Sequence, residues 1–219
     1  MTSVVPNHVS STKDRILDAA ERLFAKHGID ATSLRAITAG AEVNLAAVNY
    51  HFKSKDALAR AVIARRIGPV MAKRIAMLDQ FEASAGGAPV PLAQILVAFV
   101  VPVLELRETE GREFCPLMGR IYTEPTSFLE LVYNDHLADV VTRFSIAFGR
   151  ALPGLTRAEV AWRLHFAVGV LAHVMAGGDL IRYATNGLCD PSDTREVSRL
   201  MISFLEAGFN TPGLGSTEV

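Results

Sequence analysis

The stretch NLAAVNYHFKSK, residues 44–55, carries side chains suited to reading and gripping a nucleic acid. Asn49 can pair bidentately with adenine, and Leu45 and Ala47 are small or apolar enough to rest against a thymine methyl. Tyr50, Lys53, Ser54 and Lys55 follow, and hydroxyl and ammonium groups of this kind hold a phosphate backbone. Upstream, Thr32 and Ser33 add two hydroxyls, and Arg35 can reach a guanine edge. No nucleophile–base–acid grouping, phosphate-binding glycine loop or convincing metal spacing occurs, so the chain is not expected to be an enzyme and no metal or cofactor is expected.

These residues need short helices to present them. Ser11, with Asp14 three residues on, should cap a helix from about Thr12 in which Ile16, Ala20, Leu23 and Phe24 share a face and which Gly28 ends. Thr32 or Ser33 should cap a second helix, with Leu34, Ile37 and Ala41 as its apolar stripe. Asn44 should cap a third over Leu45 to about His51, and Ser54 a fourth from Lys55. Val43, Val48 and Phe52 would pin the third helix, and His51 is expected beside Phe52 on the buried side.

The rest of the chain is helical in pattern, and no period-2 strand signal appears. An all-α fold is expected: a helix-turn-helix domain over 11–58, a larger helical domain over 59–210, and flexible tails at 1–10 and 211–219. Pro69 and Pro102 lie inside helical patterns and should kink or restart them. Pro125 suits the first turn of a long helix reaching about Leu152. Thr156 with Glu159, and Asp193 with Glu196, read as capping boxes for two further helices, the first reaching about Asp179 and the second stopped by Gly208.

The chain has 219 residues, half of them hydrophobic, with a net charge of −1. Residues 1–66 hold ten Lys/Arg against six Asp/Glu, a basic head on an acidic body that suits a polyanionic partner. Two cysteines without partner spacing point to a reducing compartment, and no apolar run is long enough to cross a bilayer. A cytoplasmic protein with no membrane association is expected.

Residues 14–58, DRILDAAERLFAKHGIDATSLRAITAGAEVNLAAVNYHFKSKDAL, resemble the TetR family of repressors through T-S-L-R-x-I, A-x-V and V-x-Y-H-F-x-S-K-x-x-L. The resemblance implies an all-α homodimer bound to double-stranded operator DNA, with a recognition helix at Leu45–His51 and an effector-binding C-terminal domain. It implies base contacts from Arg35, Leu45, Ala46 and Asn49, and phosphate contacts from Thr32, Ser33, Tyr50 and Lys55; Lys53 joins them on its charge. One departure stands out: Glu42 occupies the turn where the family usually has glycine. If the position is left-handed, that costs on the order of 1 kcal/mol.

NLAAVNYHF at 44–52, Gly68–Pro69, and W-R-L-H-F-x-x-G at 162–169 in the C-terminal half resemble family members that sense long-chain fatty acids or their coenzyme A thioesters. Such a small apolar effector would need a cavity between helices. Phe99, Phe114, Met118, Phe144, Phe148 and Phe166 are candidate lining residues, with Arg120 or Arg112 for a carboxylate or phosphate head group. The same arginines can instead pair with the many neighbouring glutamates. A dimer interface is expected on the last two long helices, through Leu164, Val168, Ala172 and Met175 on one, and Leu200, Met201 and Phe204 on the other. The alternative to a DNA-binding regulator is a helical ligand carrier or partner adaptor whose head no longer binds DNA.

Overall fold

The computed structural model describes residues 11–109, 114–117, 119, 133–177 and 179–213; the side chains of His136 and Asp179 are not among the described groups. The expectations placed on Met118, Arg120, Arg112 and Pro125, on residues 1–10 and on 214–219 lie outside the described residues. Those described form helices joined by turns and loops, with no strand among them. They form two compact units, 1–65 and 66–219, each with its own core.

The first unit contains α1 (Thr12–His27), α2 (Leu34–Ala41), α3 (Leu45–Phe52) and the start of α4 (Lys55–Ala85). Each boundary has a chemical cause. The Ser11 hydroxyl accepts from the Asp14 amide at 3.1 Å, and Gly28, at φ 82°, closes α1 by donating its N–H to the Phe24 carbonyl. Ser33 and Asn44 cap the next two helices by accepting from Ala36 and Ala47, satisfying amides that a helix start leaves without partners. Ile16, Ala20, Phe24, Ile37, Val48, Leu58 and Val62 are almost wholly inaccessible to solvent and form the core. Beside that core, Arg65 bridges Asp18, at 2.7 Å, and the buried Glu21. Burial opposes charge on the guanidinium, but the bonds to Glu21 and Asp18 outweigh it and hold Arg65 above its ordinary pKa. A buried carboxylate needs such a partner.

α4 runs through Pro69 and α5 (Leu92–Leu104) through Pro102 without a break, so neither proline restarts a helix. Proline removes one N–H and crowds one preceding carbonyl, and the 31-residue helix absorbs this defect.

The second unit holds most of α4, then α5 (Leu92–Leu104), a 3-10 turn (Glu105–Glu108), a π turn (Tyr133–Leu137), α6 (Ala138–Ala151), α7 (Arg157–Ala176), α8 (Asp179–Ala184) and α9 (Thr194–Asn210). Thr156 and Glu159 form the full reciprocal capping box on α7. Asp193 caps α9 by accepting from the Glu196 amide at 2.9 Å. The core is aromatic: Phe99 meets Phe144 edge-on at 5.3 Å between centroids, and Phe148 stacks on Phe209 at 4.6 Å. Arg143 ties α6 to α4 through Asp79 and Glu82.

Candidate nucleic-acid interface

α3 is a short rod held by two side chains. Val48 and Phe52 are buried at 1% and 6% exposure, while Leu45, Ala46, Asn49 and Tyr50 face solvent. Tyr50 is 83% exposed, a costly place for an aromatic ring unless something is to lie against it. Val43 is only half-buried, so Val48 and Phe52 hold the rod. His51 is exposed rather than buried, its ring edge-on to Tyr50 at 5.1 Å. Phe52 alone carries the buried aromatic role, because at 100° per residue its neighbour His51 turns off the core-facing strip. His51 therefore joins the outward face of α3, which sequence reasoning had missed.

The turn before α3 is built on Glu42. This residue lies in the left-handed region (φ 53°, ψ 48°), where its N–H returns to the Ala39 and Thr38 carbonyls. The Val43 amide donates to the Thr38 carbonyl at 3.0 Å. This is the helix-ending arrangement that normally uses glycine at the left-handed position. Gly40 lies within α2 and does not take that role.

At the other end, Lys53 has φ 64° and ψ −38°, and the Ser54 amide donates to the Phe52 carbonyl at 2.7 Å across it. A three-residue turn of this hand is uncommon and strained for a residue with a side chain. It leaves the Lys53 ammonium exposed at the end of α3.

The expected phosphate contacts separate into two groups. Ser33, Tyr50 and Lys53 are exposed. Thr32 is 3% exposed and its hydroxyl donates to the Gly28 carbonyl at 2.7 Å. Lys55 donates to the carbonyls of Ile29, Asp30 and Thr32 at 3.0, 3.1 and 3.2 Å. An ammonium has three donors, and all three are spent on the loop between α1 and α2. Thr32 and Lys55 thus act as fasteners of that loop, a correction to the phosphate roles expected of them. Arg35 is exposed on the first turn of α2.

In the second unit a cleft of about 970 Å³ lies along α6 and α7. Phe99, Val140, Leu164 and Val168 supply its apolar wall, and Arg74, Tyr133, Ser145 and His165 its polar groups. Arg74 is buried, lies 4.2 Å from the centroid of the Phe99 ring, and donates to the Phe99 carbonyl. Of the expected cavity residues, Phe99 lines this cleft. Phe114, Phe144 and Phe148 are fully buried, the last two within the aromatic core. Phe166 is 60% exposed on the outer side of α7, so the structure does not gather these five around one cavity.

The expected dimer residues also divide. Leu164, Ala172 and Met175 are buried within their own unit, Val168 is half-buried along the cleft, and Met201 is buried on the inner side of α9. Leu200 and Phe204 are exposed at 53% and 66%. The outward face of α7 is the other one, where Trp162 and Phe166 stack at 5.8 Å and are 61% and 60% exposed.

Comparison with known proteins bears on both units. Residues 16–62 match the family model described as bacterial regulatory proteins, tetR family. Residues 97–208 match the tetracyclin repressor-like C-terminal domain. A probable HTH-type transcriptional regulator, YttP of Bacillus subtilis, is 46% identical over 48 residues, 22% of this chain and 23% of YttP. The HTH-type transcriptional regulator AcrR of Shigella flexneri is 31% identical over 113 residues, 51% of this chain and 49% of AcrR. The chain thus spans half or less of the length of these relatives. A solved SmeT–triclosan complex is 25% identical, with a TM-score of 0.63 over 95% of this chain and 97% of SmeT.

Proposed function

Because the chain belongs to the TetR family of bacterial regulatory proteins, we propose that it is a homodimeric repressor whose α3 enters the major groove of a palindromic operator. The observation that carries this reading is the exposed face of α3: Leu45, Ala46, Asn49 and a solvent-exposed Tyr50 on a rod pinned by Val48 and Phe52. Asn49 has the donor and acceptor to grip adenine, and Leu45 with Ala46, in place of the half-buried Ala47, suits thymine methyls. Ser33, Tyr50 and Lys53 sit around the rod as backbone contacts, and Arg35 reaches a base edge. The protein acts where the DNA is, in the cytoplasm. No helix among the described residues is long and apolar enough to cross a membrane.

The two-fold axis is supplied by the outward stripes of α7 and α9, Trp162 with Phe166 and Leu200 with Phe204. An isologous contact of this kind matches a palindrome with half-sites about one helical turn, ~34 Å, apart or somewhat more.

The effector in this reading is a small, largely apolar molecule held in the α6–α7 cleft. The similar SmeT structure is a complex with triclosan; the resemblance at 44–52, 68–69 and 162–169 suggests a long-chain fatty acid or its coenzyme A thioester for this chain. Arg74, stacked on Phe99 within the cleft, takes the head-group role expected of Arg120. The effector releases DNA only to the extent that it binds the non-operator conformation more tightly.

The test is a mobility shift of genomic fragments at several salt concentrations. A specific complex that weakens steeply with salt, and dissociates when a long-chain fatty acid is added, supports the reading. Failure to shift any fragment at low salt favours the carrier alternative, and a complex indifferent to fatty acids removes that ligand class while leaving the regulator.

A further inference from the structure

Between α7 and α9 the chain makes a small lobe, Leu180–Pro191, that is firmly built yet apolar on its outside. Its shape is fixed from within. The Gly187 amide donates to the Arg182 carbonyl at 2.8 Å, with Asn186 at φ 50° and Gly187 at φ 84° turning the chain. Asp190 accepts from the Ser192 hydroxyl at 2.7 Å and its amide at 3.0 Å, and from Arg182. These bonds, from Ser192 first, hold the Asp190 carboxyl down at about 2, so it stays charged at any ordinary pH. Arg107 anchors the lobe's base by donating to the Pro191 carbonyl at 2.6 Å.

On this braced frame Leu180, Tyr183 and Leu188 are 75%, 84% and 87% exposed. A groove of about 700 Å³ runs from the lobe to the stripes of α7 and α9, with Leu180, Ile181 and Leu188 on one side and Val170, Leu200 and Phe204 on the other. The groove thus joins the lobe to Leu200 and Phe204 of α9 and to Val170, which follows Trp162 and Phe166 on the same face of α7; His173, Asp190 and Glu196 are the polar groups of its lining.

Its size argues for what covers it. Trp162, Phe166, Leu200 and Phe204 alone offer roughly 500 Å² at their observed exposures. That is no more than the ~300–600 Å² patch an ordinary monomer shows. Adding Leu180, Tyr183 and Leu188 about doubles the area, to roughly 1,000 Å², which passes the ~800 Å² per partner of a standard interface.

We propose that the lobe is a clasp that closes over a second copy of this chain, so that the groove between lobe and α9 receives apolar side chains from the partner's outward face. This rests on the dimer reading given above and extends it. Two-fold symmetry makes the contact reciprocal. Each clasp would bury side chains that no contact within one chain shields, and the α7–α9 stripes would be insufficient without it.

The test uses the full-length protein and its dimer dissociation constant from sedimentation equilibrium, with Trp162, the sole tryptophan, as an emission probe of the stripe. Tyr183→Ser with Leu188→Ser touches none of the bracing bonds and should raise the dissociation constant at least tenfold, with helical circular dichroism unchanged. Leu200→Asp with Phe204→Asp should give monomer. A dimer constant unmoved by the lobe pair, beside a monomeric stripe pair, overturns the clasp and keeps the dimer. A stripe pair that stays dimeric overturns the dimer reading and the clasp with it. In the unaltered protein, the amides of residues 180–188 should exchange hydrogen more slowly as dilution is reversed and dimer forms. Equal exchange in monomer and dimer also overturns the clasp.

Discussion

Single residues divide into readers and fasteners, and the division is testable. Asn49→Ala should cost about 1–3 kcal/mol at one base pair and relax preference there, because a bidentate pair to adenine is lost. Competition binding with duplexes varied at that position measures it. Lys55→Ala should behave differently. Its ammonium holds three loop carbonyls, so the change should lower unfolding stability by about 1–3 kcal/mol and leave the salt slope of DNA binding unaltered. Denaturant titration and salt-dependent binding together check this, and Lys53→Ala, with its exposed ammonium, is the contrast that should lower the slope by about one unit. Charge and position do not separate the two lysines, and the family resemblance favours Lys55 for the phosphate role. Only the long-range bond from Lys55 back to residues 29–32, more than twenty positions away, separates them. Thr32 was opaque for the same reason: a hydroxyl beside an N-cap can face a phosphate or turn back to a helix end, and local pattern does not choose.

At the scale of elements, helix starts were the most readable feature. Ser11, Ser33, Asn44, Thr156 and Asp193 each cap where the side-chain chemistry placed them, since a cap needs only an oxygen within reach of an amide two or three residues on. The turn between α2 and α3 was readable as a conflict. Glu42 is left-handed, so Glu42→Gly should raise stability by about 1 kcal/mol, seen as a higher denaturation midpoint with an unchanged denaturant slope. A neutral or negative effect would mean that the Glu42 side chain repays its strain elsewhere. The faces of α7 were not readable. Trp162, Phe166 and Val170 line one side, and Leu164, Leu171 and Met175 the other. A helix apolar on two sides has no single period to say which side meets its own core. The larger aliphatic set was assigned to the partner, whereas it packs at home and leaves the aromatic pair outside. The expected pocket misled likewise: Phe144 and Phe148 have the composition of a cavity wall but fill the core against Phe99 and Phe209.

The whole molecule combines a basic reading head with a body that carries a large apolar outer surface, and its proposed role requires two copies acting together. A single α3 offers few base contacts, so useful discrimination depends on a second head bound to the same duplex. The outward residues of α3 include neither arginine, the common reader of guanine, nor a carboxylate for cytosine. Its half-site should accordingly be rich in A·T pairs, with any guanine falling where Arg35 reaches. The most direct test is selection of duplexes from a random library by the full-length protein, followed by the mass of the selected complex. The account predicts a palindrome of A·T-rich half-sites, their centres about one helical turn or slightly more apart, bound by two copies. An asymmetric site held by one copy, or no enrichment at low salt, would contradict it.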